Sequence, residues 1–238
     1  MEMLILSGGF GTRLGDTISD LPKSLAPING VPLLRLQLHH WIKQGQKEFL
    51  FLLHHRSELI IDFLIKESSY FGSSCKIEWI VEDAPLGTGG AITNAIINRN
   101  IEGNILIANA DTWLDEGLKK IINSNSPTIA AIKVNNTERY GSISINAKRL
   151  VTEFCEKKIG VSHLNKGLIN AGLYKLPTSI FLGQDSNSFS LEKQILPKLL
   201  KKNILYAEII EGYFFDIGVP KDYYNFCEWN ESQIKDNE

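Results

Sequence analysis

The chain has 238 residues, 43% of them hydrophobic, enough for one sizeable core. Its formal net charge of −2 argues against a nucleic-acid-binding surface, which would concentrate Lys and Arg. No stretch approaches the roughly 18 uninterrupted apolar residues of a membrane helix, MEMLILSGG lacks the basic region of a signal peptide, and the scattered Cys75, Cys155 and Cys227 make no disulfide framework, so a reducing cytoplasm is expected.

Strand-length apolar runs then alternate with helix-like segments. Residues 1–7 read as a strand. Residues 31–44 carry leucines at helical spacing and are stopped by Gly45. The next strand covers 48–53, and Ser57 is placed to cap a helix reaching about residue 66. A strand over 76–82, a helix over 91–98 and a strand over 104–109 follow. Residues 114–123 read as a helix and 128–134 as a strand. This order predicts an α/β fold with a largely parallel, doubly wound sheet. After Asn135 short strands over 142–145, 151–156 and 168–175 predict a smaller antiparallel part. A helix over 191–202 and a strand near 204–210 lead to FFDIGVPKDY, and SQIKDNE reads as a frayed tail. With no repeats and no linker, a single domain over 1–238 is expected.

The stretch LSGGFGTRLG, residues 6–15, leaves the first strand at its carboxyl end, where such sheets bind ligands. Glycine inside an element loses backbone entropy, so these positions need positive φ or room beside the main chain. A dinucleotide fingerprint fails because G-F-G-T-R-L lacks the third glycine. A P-loop fails because Thr17 and Pro22 replace its glycines before Lys23 and Ser24. The remaining readings are a tight structural turn or a different phosphate cradle. In the latter, successive N–H groups face an anion, Arg13 offers a planar fork and Lys23 adds a cation.

A second glycine-rich loop, EDAPLGTGGA (82–91), again follows a strand. Asp111 ends the strand ILIANAD and Asp216 ends a late one. Two carboxylates at strand ends near phosphate loops suggest Mg²⁺, held by one or two carboxylates plus substrate phosphates; taken singly, each is a turn or cap residue. The pairs His39–His40 and His54–His55 have no cysteine nearby, and sequence neighbours on a helix do not share a face. They are read as structural, and Trp41 and Trp79 as core.

In order along the chain, LSGGFGTRL…LPKSLAPI, PLGTGGA, NAD, RYGSI, EFCEKK, LINAGLY and FFDIGVPKDY resemble the signature of the sugar-1-phosphate nucleotidyltransferases. GLINAGLY, FSLEKQILP and the length, without an appended β-helix, look like the members that act on D-glycero-D-manno-heptose 1-phosphate. Mannose-1-phosphate guanylyltransferases and other sugar-1-phosphate uridylyl- or cytidylyltransferases are the alternatives. Departures are mild: Ser24 stands where proline is frequent, Ala110 where glycine often precedes the aspartate, and Val219 where threonine is usual.

The resemblance implies a Rossmann-like, mostly parallel mixed sheet with helices on both faces. Residues 1–135 would form the nucleotide-binding half and 136–220 the sugar-binding half, with a C-terminal helix and tail after 220. The implied reaction joins an NTP to a sugar 1-phosphate and releases pyrophosphate, with Mg²⁺ as cofactor. Leu6, Gly8, Gly9, Gly11 and Thr12 would bind the nucleotide, with Glu82, Pro85, Gly87 and Thr88 from the second loop. Arg13 and Thr12 would hold the leaving phosphates, Lys23 would face the reacting ones, and Lys157 would grip the sugar phosphate. Asp111 and Asp216 would hold the metal. Glu156, Tyr140, Gly141, Asn170, Gly172, Tyr174 and Glu192 would line the sugar pocket.

In the family, the residue at Glu82 meets the base edge. An ionised carboxylate only accepts hydrogen bonds, and guanine offers it two adjacent donors, so GTP is the expected nucleotide; a solvent-facing strand end is the plainer reading of Glu82. Two other classes fit the residues less well. A catalytically dead sensor of nucleotide sugars would tolerate loss of a metal aspartate or loop arginine, yet all are present. A glycosyltransferase would want Asp-x-Asp, which NADTWLDE lacks at that spacing. The expected partners are thus an NTP and a sugar 1-phosphate, with no nucleic acid and no membrane; assembly into a homo-oligomer is compatible with the sequence.

Overall fold

The computed structural model describes residues 1–9, 21–155, 166–184 and 188–235. Strand β1 (Met3–Ser7) precedes a small hairpin of β2 (Pro27–Ile28) and β3 (Val31–Pro32), turned by Asn29 and Gly30, both at positive φ. Helix α1 (Leu33–Lys43) leads to β4 (Glu48–Leu53), α2 (Ser57–Phe71) to β5 (Lys76–Val81), and α3 (Gly87–Arg99) to β6 (Asn104–Asn109). Then come β7 (Thr112–Leu114), α4 (Leu118–Asn123), β8 (Thr128–Val134), β9 (Ser142–Ile145), β10 (Val151–Cys155) and β11 (Gly167–Pro177). A π turn, Leu191–Ile195, opens α5 (Leu196–Lys201). Strands β12 (Tyr206–Ile210) and β13 (Phe214–Asp216) and helix α6 (Pro220–Lys235) end the described chain.

A nine-stranded mixed sheet runs β10-β9-β11-β6-β1-β4-β5, with β8 against β11 and β12 against β8. The neighbours β6, β1, β4 and β5 are parallel, as the β-α-β rhythm predicts. The antiparallel part is grown onto the same sheet: β11 pairs with both β6 and β8.

Period-two alternation sends side chains to two cores. Met3, Ile5, Phe49, Phe51 and Leu106 meet Leu34, Leu38 and Trp41 of α1 and Ile60 and Leu64 of α2. Leu4, Leu50, Leu52, Ile105 and Ile107 meet Ala91, Ala95 and Ile96 of α3 and Leu196 and Leu199 of α5. Helices on both faces are why the central strands read as unbroken apolar runs. A third cluster packs α6, through Tyr223 and Phe226, against Ala26, Ile28, Leu33, Trp113 and Ile217. Between α1 and α2, Arg35 Nε donates to Glu67 at 2.9 Å, pairing a carboxylate that is fully buried. No helix among the described residues is long and apolar enough to cross a membrane.

Several expectations are corrected. Ser57 does not cap α2: Arg56, at φ 52, holds the cap position without a side-chain hydrogen bond, and the helix continues to Phe71, where Gly72 turns it off. Only the second half of 114–123 is helical. Gly117, at φ 110, breaks it, and Thr112–Leu114 pairs instead with Phe214–Asp216. The loop 82–91 is half helix, since α3 begins at Gly87. SQIKDNE is not simply a tail: α6, anchored by Tyr223 and Phe226, runs through Lys235.

Candidate active site

The carboxyl ends of β1 and β6 open onto two cavities that share Asn109 and Asp111. The larger, about 410 Å³, is lined by Leu6, Gly8, Gly9, Lys23, Glu82, Pro85, Gly87, Thr88 and Asp111 among others. The smaller, about 260 Å³, is lined by Asp111, Tyr140, Gly141, Asn170, Gly172, Tyr174, Glu192 and Asp216, with Arg139. Every sequence-predicted site residue that is described thus lies on one of two adjoining cavities. Gly11, Thr12, Arg13, Glu156 and Lys157 lie outside the described residues.

Local chemistry shapes the larger cavity. Ser7 Oγ donates to Ser24 Oγ at 3.1 Å, tying the end of β1 to the turn that carries Lys23. Ser24, 3% exposed, is therefore a buried partner where the family often has proline. Gly87 has φ +68, and a Cβ there would stand 2.6 Å from the Phe189 carbonyl oxygen. A Cβ on Gly89 would stand 2.1 Å from the Phe189 ring. That carbonyl accepts the N–H groups of Gly89 (2.9 Å) and Gly90 (3.3 Å). The glycines that open α3 therefore make room for Phe189, which takes two donors that a helix start would otherwise offer to an anion.

Glu82 is 8% exposed, so it is not a solvent-facing strand end. Its Oε2 accepts the Leu86 N–H at 3.0 Å. Burial pushes its carboxyl pKa up, against the opposing pull of the Leu86 N–H and His54. His54 Nδ1 lies 3.1 Å from the Glu82 carbonyl oxygen, which only accepts, so the proton is on Nδ1.

The smaller cavity is made of side chains already paired with one another. A register shift in β11 between Asn170 and Tyr174 re-aims this stretch. Asn170 Nδ2 donates to the Tyr174 hydroxyl at 2.7 Å, and its Oδ1 accepts the Gly172 N–H at 3.0 Å. Gly172 has φ +72, and a Cβ there would lie 2.7 Å from Asn109 Nδ2. Tyr140 donates to Asp222 Oδ2 at 3.3 Å. Burial first, then the Asp222 charge, pushes its phenol up to about 12, so it stays a neutral donor. Arg139 Nη2 sits 2.8 Å from Asp222 Oδ2 and 3.8 Å from Asp216 Oδ2.

Two contacts join the cavities. Lys23 Nζ lies 3.7 Å from Asp111 Oδ2. Thr88 Oγ1 donates to Glu192 Oε2 at 2.8 Å and accepts the Leu191 N–H at 2.8 Å, while Ser190 Oγ donates to the same Glu192 oxygen at 2.7 Å. The Ile217 N–H donates to the Asp111 carbonyl at 2.9 Å, which brings the Asp216 strand end beside Asp111. Asp111 and Asp216 fit a hard divalent cation: both are oxygen donors on one cavity wall. Among the described residues no group of three or more His, Cys, Asp or Glu forms an all-protein cage, so other ligands would come from phosphate and water. Sequence reasoning missed Arg139, Asp222 and Asn109. Arg139 sits inside the quoted RYGSI and Asp222 inside VPKDY, but no pattern says that Asp222 holds Arg139 and Tyr140.

Residues 2–232 match the nucleotidyl transferase family, and the chain belongs to it. It is 36% identical, over 95% of its length and 98% of the relative's, to the D-glycero-alpha-D-manno-heptose 1-phosphate guanylyltransferase of Campylobacter jejuni. It is 34% identical, over 94% and 95%, to the protein of the same name from Aneurinibacillus thermoaerophilus. Among solved structures it resembles HddC from Yersinia pseudotuberculosis, with 35% identity, a TM-score of 0.82 and coverage of 95% and 98% of the two chains. The same protein complexed with GMP-PN matches with a TM-score of 0.80 and 33% identity, over 95% and 98%.

Proposed function

We propose that this chain is a D-glycero-α-D-manno-heptose 1-phosphate guanylyltransferase, forming a GDP-sugar and pyrophosphate from GTP and the sugar 1-phosphate. The observation that carries the reading is Glu82, a carboxylate buried on the wall of the larger cavity. When ionised it accepts from the two adjacent donors of guanine and repels the carbonyl-flanked edge of uracil or thymine. The names of the full-length relatives and the GMP-PN complex of HddC support it.

A phosphate oxygen of the sugar 1-phosphate attacks the α-phosphorus of GTP in line. The new P–O bond forms as the bond to the bridging oxygen breaks, and pyrophosphate leaves. Such a step needs positioning and charge neutralisation rather than a covalent nucleophile. Gly8 and Gly9 let the nucleotide approach the main chain. Lys23, on the larger cavity beside Asp111, neutralises phosphate charge. Asp111 and Asp216 would hold Mg²⁺, which when bound supplies charge neutralisation at the reacting phosphates. Arg13 and Thr12 are assigned to the leaving phosphates, Lys157 to the sugar phosphate and Glu156 to sugar hydroxyls. Tyr140, Asn170 and Glu192 offer hydroxyl, amide and carboxylate partners for the sugar, while Tyr174, fully buried behind them, holds the Asn170 amide through its hydroxyl instead of offering it to the cavity. The reaction is placed in the cytoplasm, where Cys75, Cys155 and Cys227, all free, stay reduced.

The test is pyrophosphate release over a matrix of GTP, UTP, dTTP, CTP and ATP against heptose, mannose and glucose 1-phosphates. GTP with the heptose substrate is expected to give the highest kcat/KM. Faster use of UTP or CTP would overturn the base reading, and faster use of mannose 1-phosphate the sugar reading.

A further inference from the structure

Gln37 stands mid-way along α1, where LLRLQLHHWIK turns its leucines toward the sheet. Its side chain is 1% exposed, and a buried amide is tolerated only where it is hydrogen-bonded. Gln37 Nε2 donates to the Thr112 carbonyl at 2.8 Å and lies 3.5 Å from the Asn109 carbonyl. These two acceptors flank Ala110 and Asp111, the turn where β6 gives way to β7. The turn has two other backbone ties, Ala110 N–H to the Leu6 carbonyl (3.1 Å) and Ile217 N–H to the Asp111 carbonyl (2.9 Å).

Both acceptors are carbonyls, so the NH₂ end of the amide must face them. Oε1 is then buried without a hydrogen-bond partner among the described residues. A leucine would fill the space without orphaning an oxygen, so packing alone does not account for glutamine here. What glutamine adds is the pair of donors directed at the two ends of the Asp111 turn.

We propose that Gln37 is a positioning residue for Asp111, clamping the 109–112 turn from the face of the sheet opposite α3. The proposal rests on the reading of Asp111 as a metal-holding carboxylate. It concerns a residue that touches neither cavity's contents and that no motif singles out.

The test uses Gln37→Met, which keeps the volume and removes both donors. Loss of a residue that orients a ligand typically costs about 10- to 100-fold in metal affinity or activity. A kcat loss in that range is expected, with a rise of about tenfold in the Mg²⁺ concentration for half-activation. KM for the sugar 1-phosphate should stay within about threefold, while KM for GTP rises by no more than the roughly tenfold loss in metal affinity, because metal and nucleotide binding are linked. Two readouts do not involve turnover. Mn²⁺ binding to the enzyme–GTP complex, followed by electron paramagnetic resonance, should weaken. Amide exchange at Ala110 and Ile217 should rise about tenfold while Leu50, at the sheet centre, keeps its protection.

Unchanged kcat, metal dependence and exchange would overturn the clamp. So would faster exchange throughout the sheet, since that marks a role in general stability. Should Gln37→Met not fold, Gln37→Asn, which keeps an amide one methylene too short to reach, must show the same split. Asp111→Asn is the control. Wild-type turnover and Mn²⁺ binding in that variant would sink the carboxylate reading itself. A dead Asp111→Asn beside a normal Gln37→Met would sink the clamp alone.

Discussion

The two cavities share a wall but are built by different means. The larger is framed by main chain and small residues at the ends of β1 and β5, with Glu82 as its buried carboxylate. The smaller is a set of polar side chains tied to one another: Asn170 to Tyr174, Tyr140 and Arg139 to Asp222. Backbone framing suits a nucleotide, whose phosphates want close N–H groups and whose base needs one directed partner. Pre-paired side chains suit a sugar, whose several hydroxyls exchange hydrogen bonds with groups already held in place. The contrast teaches where specificity sits. On the proposed reading, it is concentrated in one residue on the nucleotide side and spread over a network on the sugar side.

The largest effect should come from the shared wall. Asp111→Asn is expected to lower kcat at least about 10²-fold, with both substrates affected and the melting temperature little changed. Turnover at ordinary Mg²⁺, together with a thermal melt, checks this. A loss confined to one substrate would mean that Asp111 belongs to a single cavity.

Glu82→Gln tests whether base selection is concentrated. Losing a charged acceptor is expected to cut the GTP preference over UTP and CTP by about 10- to 100-fold, leaving sugar selectivity intact. The same group sets a pH dependence. Because burial raises its pKa, the preference for GTP should fade as pH drops through that raised value, sooner than an ordinary carboxylate would allow. The stability sign is opposite. A carboxyl with a raised folded pKa favours folding at low pH, and that contribution is lost as pH rises through the raised value. Glu82→Gln should therefore melt no lower than wild type at neutral pH, and kcat/KM ratios across pH with a melting curve would show both effects.

The smallest effect sharpens the boundary. Thr88 lines the larger cavity, yet its hydroxyl is spent on Glu192 and Leu191. Thr88→Val is expected to weaken kcat/KM for the sugar 1-phosphate by about 3- to 10-fold and leave KM for GTP nearly unchanged, the scale of one lost hydrogen bond. If GTP suffers instead, Thr88 serves the nucleotide and the two cavities are less separate than their hydrogen bonds imply.

Strands buried on both faces were the most legible part of the chain. Glu48–Leu53, Asn104–Asn109 and Thr128–Val134 have the bounds read from their apolar runs. The larger cavity was legible for a related reason: its residues are contiguous, in LSGG, LPKS and EDAPLGT, each following a strand or turn. The pairing of Thr112–Leu114 with Phe214–Asp216 was not, because a three-residue strand has no period and its partner lies about a hundred residues away in the chain.

By itself, then, the sequence determined the alternation of strands and helices, the glycine-framed loop and the charged residues at strand ends. These are local consequences of apolar period and backbone freedom. Only the tertiary structure decided that Gly89 is small because Phe189 lies on it, that Asp222 holds Arg139, and that Gln37 reaches the Asp111 turn. Each of those contacts joins residues far apart in the chain, and no local pattern encodes which donor meets which acceptor once the sheet has brought them together.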